Sequence, residues 1–141
     1  MVYHLLAPAA PAIAELHRVI RPAGWVVLRT PTRELLDRVE FLAFFPEARA
    51  IDEARMPRRA DVTETFARAG FSTHAWRLIE QEFASSPLVS LERVRRRAFS
   101  NLRMISDEAF ASGLARYEAH CRAAPPAPRS EYLELFVFQR D

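Results

Sequence analysis

An α/β fold is what this sequence predicts, on three observations. From Ala14 to Thr30 the chain reads AELHRVIRPAGWVVLRT, an amphipathic helix that stops at a proline, turns through a glycine and runs directly into an apolar strand. Near the other end, Tyr132 to Phe138 reads YLELFVF, rich in the aromatic and branched residues that suit a pleated surface. Between these two stretches lie amphipathic helical stripes punctuated by proline and glycine. The 141 residues, 50% of them hydrophobic, match the length of one domain with a sizeable core, so residues 1–141 are expected to form a single domain.

The elements follow in order. Pro11 suits the first turn of a helix in which Ile13, Leu16, His17 and Ile20 share one face at i, i+3, i+4 and i+7. Pro22 ends it, because a proline ring cannot continue the hydrogen-bond ladder, and Gly24 permits the reversal. Trp25 to Leu28 has no polar interruption, the pattern of a strand covered on both faces. Thr32 is the expected N-cap of a helix with Leu35, Leu36, Val39 and Leu42 inward, and Phe41, Phe44 and Phe45 crowd its end. Pro46 to Met56 reads as a short helix or irregular segment closed by Pro57. Ala60 to Ala69 reads as a helix with Val62 and Phe66 inward and Gly70 just past its C-cap. Phe71 to Phe83 alternates only patchily, as a sheet-edge strand does. Ser86-Pro87 starts a helix whose stripe runs through Leu88, Leu91, Val94, Ala98, Leu102 and Ile105. Ser106, Asp107 and Glu108 cap the next one, with Phe110, Leu114, Tyr117 and Cys121 on one face. Ala123 to Pro128 is a linker of proline and alanine.

Composition excludes several classes. No apolar run approaches the roughly 18 residues of a membrane span, and Met1 to Leu6 lacks the basic start and long apolar region of a signal peptide, so a cytoplasmic location without membrane attachment is expected. One cysteine, Cys121, supports neither an internal disulfide nor a multi-cysteine zinc site. The net charge of +2 makes no general case for nucleic acid. The dense run Arg93, Arg95, Arg96, Arg97 admits a nucleic-acid patch, but Glu92 stands four residues before Arg96 and a solvated helix face carries such charges anyway.

Glu15, Arg18, Val19, Ile20, Arg21, Pro22, Ala23 and Gly24 resemble the E-x-x-R-V-[LI]-[RK]-P-G-G pattern on the helix that leads into the fifth strand of class I S-adenosylmethionine-dependent methyltransferases. Ala23 replaces the first glycine of that pair. Met1 to Leu6 resembles the residues after the fourth strand, and Phe44 to Arg49, Phe66 to Phe71 and Ser100 to Leu114 resemble later segments of one subgroup. The likeness covers nearly the whole chain but only the family's C-terminal half. It implies a partial Rossmann-like sheet of the fifth, sixth and seventh strands, with flanking helices and a helical insert at about residues 86–124 that covers the substrate. It also implies a parent enzyme that methylates a small molecule with S-adenosylmethionine.

The only glycines are Gly24, Gly70 and Gly113, so no glycine-rich nucleotide loop exists in these residues. The acidic residue that holds the ribose in the family has no counterpart here either. The chain alone is therefore expected to bind no cofactor and to be inactive, and no catalytic or metal-binding residue is assigned. The resemblance places His4 beside cofactor and substrate; Arg29, Phe44 and Phe45 are the other substrate-side candidates, although core packing is the commoner reason for clustered aromatics. In the family the fifth strand lies between the fourth and an antiparallel seventh, with the sixth at the outer edge. Trp25 to Leu28 is then expected to pair on one side only, and the open edge to make a homodimer. The rival reading is a non-enzymatic module that dimerises or binds nucleic acid through the arginine-rich helix.

Overall fold

The computed structural model describes residues 3–6 and 8–141. Helices α1 (Ala9–Val19), α2 (Pro46–Arg55), α3 (Arg59–Arg68), α4 (Pro87–Arg95) and α5 (Asp107–Ala123) accompany strands β1 (Trp25–Thr30), β2 (Phe71–Ala84) and β3 (Arg129–Arg140). The sheet has the order β1–β3–β2, and β1 runs antiparallel to β3 with Val26 opposite Phe138, Leu28 opposite Phe136 and Thr30 opposite Glu134. This is the expected neighbourhood of fifth, seventh and sixth strands, with β1 and β2 at the edges. The chain divides into two compact units, one of Met1–Glu34, Met56–Ile79 and Leu133–Asp141, the other of Leu35–Arg55 and Glu80–Tyr132.

In the first unit, Ile13 of α1 and Val62 and Phe66 of α3 bury with Tyr3, Phe71, Phe136 and Phe138, while Leu16, Ile20, Val26 and Leu28 pack against them. Phe66 and Phe138 lie nearly parallel, 3.8 Å between ring centres. Alternation along β1 sends Trp25, Val27 and Arg29 to the other side, where Trp25 is 47% and Val27 63% exposed. The expectation of a strand covered on both faces is thus corrected among the described residues: β1 is half-buried, because both of its packed helices share one face.

The turn into β1 shows why its sequence matters. A Cβ on Gly24 would stand 2.5 Å from Ile20 Cγ2 and 2.7 Å from the Arg21 carbonyl, so only glycine fits. Ala23 before it adopts φ +58°, the left-handed region that disfavours any side chain. Past α3, Gly70 takes φ +86°, with His17 against its backbone.

In the second unit, α4 and α5 lie side by side, and Leu91, Val94, Leu102, Ile105, Phe110, Tyr117 and Cys121 are buried with Leu35, Leu36, Phe41, Leu42, Phe45 and Ala48. Two expected helices are corrected here. The segment after Thr32 forms two 3₁₀ turns, Arg33–Arg38 and Glu40–Phe44, and Val39 between them is extended at φ −90°, ψ 96°. The adjacent pairs Leu35-Leu36 and Phe41-Leu42 are buried from these two short turns. The Leu88-to-Ile105 stripe also breaks, since α4 stops at Arg95 and Arg97 turns left-handed at φ +48°. The Arg97 N–H donates to Val94 O at 2.8 Å and the Ala98 N–H to Arg93 O at 3.1 Å, the paired bonds of a Schellman cap. Arg97 meets that backbone strain with a 2.5 Å ion pair to Asp107 and a guanidinium 4.0 Å from the Phe110 ring centre. Leu102 and Ile105 stay buried, but from a 3₁₀ turn and the α5 approach rather than from one helix. No helix of the described residues is long and apolar enough to cross a membrane.

Replacing Ala23 with glycine is expected to stabilise the protein by about 0.5–1 kcal/mol, since relief of left-handed strain outweighs the greater freedom of the unfolded chain. Gly24→Ala should destabilise it. Urea unfolding of both variants checks the pair, and a destabilised Ala23→Gly variant refutes the account of the turn.

Candidate functional site

The four residues singled out from sequence fall in different places. His4 is half-buried in a 3₁₀ turn, Tyr3–Leu5, and Arg29 is exposed on β1 alongside Trp25 and Val27; both belong to the first unit. Phe44 and Phe45 belong to the second. Phe45 is fully buried, edge-on to Phe41 at 6.3 Å and tilted against Phe110 at 5.8 Å, and it rests on Gly113. It serves packing. Phe44 is half-buried, its ring centre 5.3 Å from Tyr117 and 5.0 Å from His120.

Phe44 therefore borders a polar cluster that no local pattern announces. His120 Nε2 and Glu40 Oε1 are 2.8 Å apart, both side chains partly open to solvent. Glu40 Oε2 also faces Arg129 Nε at 3.5 Å and the Tyr117 hydroxyl at 3.5 Å. Tyr117 is fully buried and its hydroxyl shares a 2.7 Å hydrogen bond with Ser90. Burial pushes the Tyr117 phenol far up, so it stays neutral, and burial likewise raises the Cys121 thiol. A carboxylate that fixes one imidazole nitrogen orients the ring for proton transfer near neutral pH. Sequence reading missed this pair because 80 residues separate Glu40 from His120; the aromatic crowding around Phe44 was the only hint.

A second polar cluster sits in the first unit, at the carboxyl end of β1. Glu134 is fully buried and its Oε1 accepts from Arg59 Nε at 2.7 Å and Nη2 at 2.5 Å. The same guanidinium lies 4.5 Å from the Trp76 ring centre. An unpaired buried carboxylate costs several kcal/mol, so Arg59 is what makes Glu134 tolerable there. The α3 start, which lacks a Ser or Thr cap, is closed by two carboxylates. Asp61 accepts from the Arg58 N–H at 3.1 Å, and Glu34 accepts from the Arg59 N–H at 3.1 Å to each oxygen. Asp61 thus caps from the third residue of α3. Burial works against the Glu34 charge, but backbone N–H groups and the Arg59 charge prevail and hold its carboxyl below the usual value.

The arginine run is internally engaged. Arg93 lies over the Phe83 ring at 4.8 Å, Arg95 and Arg96 pair with Glu92, and Arg97 pairs with Asp107. Among the described residues no group of three or more His, Cys, Asp or Glu is placed to hold a metal ion.

No family model matches the chain, and no curated protein matches it. Solved structures do. The chain is similar to a methyltransferase candidate from Bacillus halodurans, with a TM-score of 0.50 and 13% identity over 93% of this chain and 57% of that one. It is also similar to the cyclopropane synthase MmaA2 of Mycobacterium tuberculosis, with TM-score 0.41, 17% identity, and 98% and 50% of the two chains covered. A sarcosine dimethylglycine methyltransferase candidate from Galdieria sulphuraria follows at TM-score 0.39, 14% identity, and 94% and 47% coverage. The chain shares its α/β fold, an open sheet with flanking helices, with the Bacillus halodurans structure, and spans little more than half of that protein's length.

Glu34 carries a pH signature. Its folded-state value lies below its unfolded one, so its contribution is present above the ordinary carboxylate value of about 4.3 and is lost as pH falls through the folded value. Glu34→Gln is expected to lower the Tm at neutral pH, and the difference from the parent protein should shrink as the pH falls below the ordinary carboxylate value. Thermal scans of both proteins across that range check it; an equal gap at every pH removes the charge from the capping role.

Proposed function

We propose that this chain is the C-terminal, substrate-side part of an S-adenosylmethionine-dependent methyltransferase that acts on a small molecule, and that it is inactive by itself. The observation that carries the reading is the match of 93% of this chain to only 57% of a methyltransferase candidate, joined to the Glu15-to-Gly24 pattern at the entry to β1. S-adenosylmethionine supplies the methyl group in such enzymes. The residues present do not fit it: Gly24 and Gly70 are committed to turns and Gly113 to the Phe45 contact, which leaves no loop where backbone can approach a nucleotide. On this reading the His120–Glu40 pair beside Phe44 serves the substrate side, as an oriented proton acceptor for a hydroxyl or amine.

The interaction-module alternative draws less support. Each arginine of the run already meets a carboxylate or a ring, so its guanidinium is engaged within the unit. Self-association belongs to the proposal, because β1 stands at the edge of the sheet with Trp25 and Val27 exposed, and such an edge is a template for pairing. We take the isolated chain to be a cytoplasmic homodimer joined through that edge.

Calorimetric titration of the isolated chain with S-adenosylmethionine is expected to show no binding; a micromolar dissociation constant, about −8 kcal/mol, overturns the reading of the cofactor side. Light scattering coupled to size exclusion should give twice the 16.2 kDa chain mass. A monodisperse monomer across micromolar concentrations refutes the edge-paired dimer without touching the methyltransferase reading.

A further inference from the structure

The second unit holds a recess of about 550 Å³ where α4 begins and α5 ends, lined by Ser86, Pro87, Leu88, Cys121, Arg122 and Pro126. Its size lies within the range of small-molecule sites, roughly 300–1,000 Å³. The seam between the two helices closes one turn further in, where Ser90 bonds Tyr117. Beyond that bond the walls are proline, leucine and the buried Cys121, and the one charged side chain of the lining is Arg122. Glu118 holds the Arg122 fork at 3.0 Å from Nε and 2.5 Å from Nη2, but also faces Arg95 at 3.3 Å. Arg95 also meets Glu92, which Arg96 shares, so three guanidinium groups stand against two carboxylates and the network keeps a net positive charge. The start of α4 adds the positive end of its dipole to the same side. Leu88 stands 58% exposed at the opening, an apolar surface that an occupant would cover. A neighbouring recess of about 370 Å³ also uses Leu88, with Glu92, Arg93 and Arg96 in its wall, where Glu92 already pairs with Arg96.

We propose that the Arg122 recess binds a small apolar monocarboxylate, its hydrocarbon or aryl body against Pro87, Leu88 and Pro126 and its carboxylate on the Arg122 guanidinium. The site is independent of the methyltransferase reading, since it uses neither the His120–Glu40 pair nor Phe44. The apolar wall supplies affinity through the area removed from water, and the guanidinium supplies selectivity for the charged head.

Cys121 offers a direct readout because it is the chain's only thiol and lines the recess. Alkylation of the full chain by N-ethylmaleimide, followed by intact mass, should slow saturably as naphthoate is added. Neutral naphthamide should protect about tenfold less well, and Arg122→Gln should raise the half-protecting naphthoate concentration by about tenfold, the loss expected for one charge-assisted bond. Arg122 is exposed, so this variant is expected to fold. If the buried thiol reacts too slowly to follow, saturable naphthoate-induced shifts of the Leu88 methyl resonances give the same isotherm. Absence of both protection and shifts at millimolar naphthoate overturns the proposal. So does equal binding of naphthamide, or of naphthoate to Arg122→Gln, since either result means apolar adhesion without a carboxylate site.

Discussion

The antiparallel register of β1 on β3 is the constraint from which the first unit follows. With Val26 opposite Phe138 and Leu28 opposite Phe136, four apolar side chains share the face on which α1 and α3 pack. A slip of one residue would either turn Trp25, Val27 and Arg29 inward beside Phe136 and Phe138 or send those two phenylalanines to solvent. The stacked Phe66 and Phe138 rings tie α3 to that register. The same alternation carries Glu134 onto the buried face two residues beyond Phe136, opposite Thr30. Arg59 is then required at the start of α3, and it is the residue whose backbone N–H Glu34 caps. Register, cap and buried ion pair are one connected arrangement.

Arginine is the sole long cation of this chain, and the structure uses what distinguishes it from lysine. Its planar group stacks on Trp76, Phe83, Phe110 and Tyr132 while its fork engages carboxylates, two roles that an ammonium point charge does not combine. This is why a basic run that reads as a polyanion patch in sequence becomes a set of local pairs in the folded unit. Arg97 shows the extreme: it holds a left-handed cap position where glycine is the usual residue, anchored by Asp107 and Phe110.

The two polar clusters differ in kind. Glu134 is fully buried and reaches solvent only through its partner Arg59, which is part-exposed and lies over Trp76. Glu40 with His120 is partly open, and it collects Tyr117, Arg129 and Phe44 around one imidazole. A partly exposed, oriented imidazole beside an aromatic wall is the arrangement that chemistry on a small substrate uses.

The sequence by itself determined the local features: α1 ended by Pro22, the Gly24 reversal, the Ser86 and Ser106 caps, β2 as an edge strand and the inward faces of α3 and α5. Each depends on residues within a turn or two of one another, where steric limits and hydrogen-bond periodicity act directly. The neighbour order of β1, β3 and β2 was also legible, but only through the resemblance at Glu15 to Gly24. Tertiary structure alone decided the rest. The extended backbone of Val39 broke a stripe into two 3₁₀ turns, and Arg97 ended α4 where apolar periodicity continued to Ile105. Glu34 replaced a missing cap from 25 residues away, and Glu40 met His120 across 80. Pairings of that kind depend on how elements pack, and a linear pattern carries no signal for the distance between side chains so far apart along the chain.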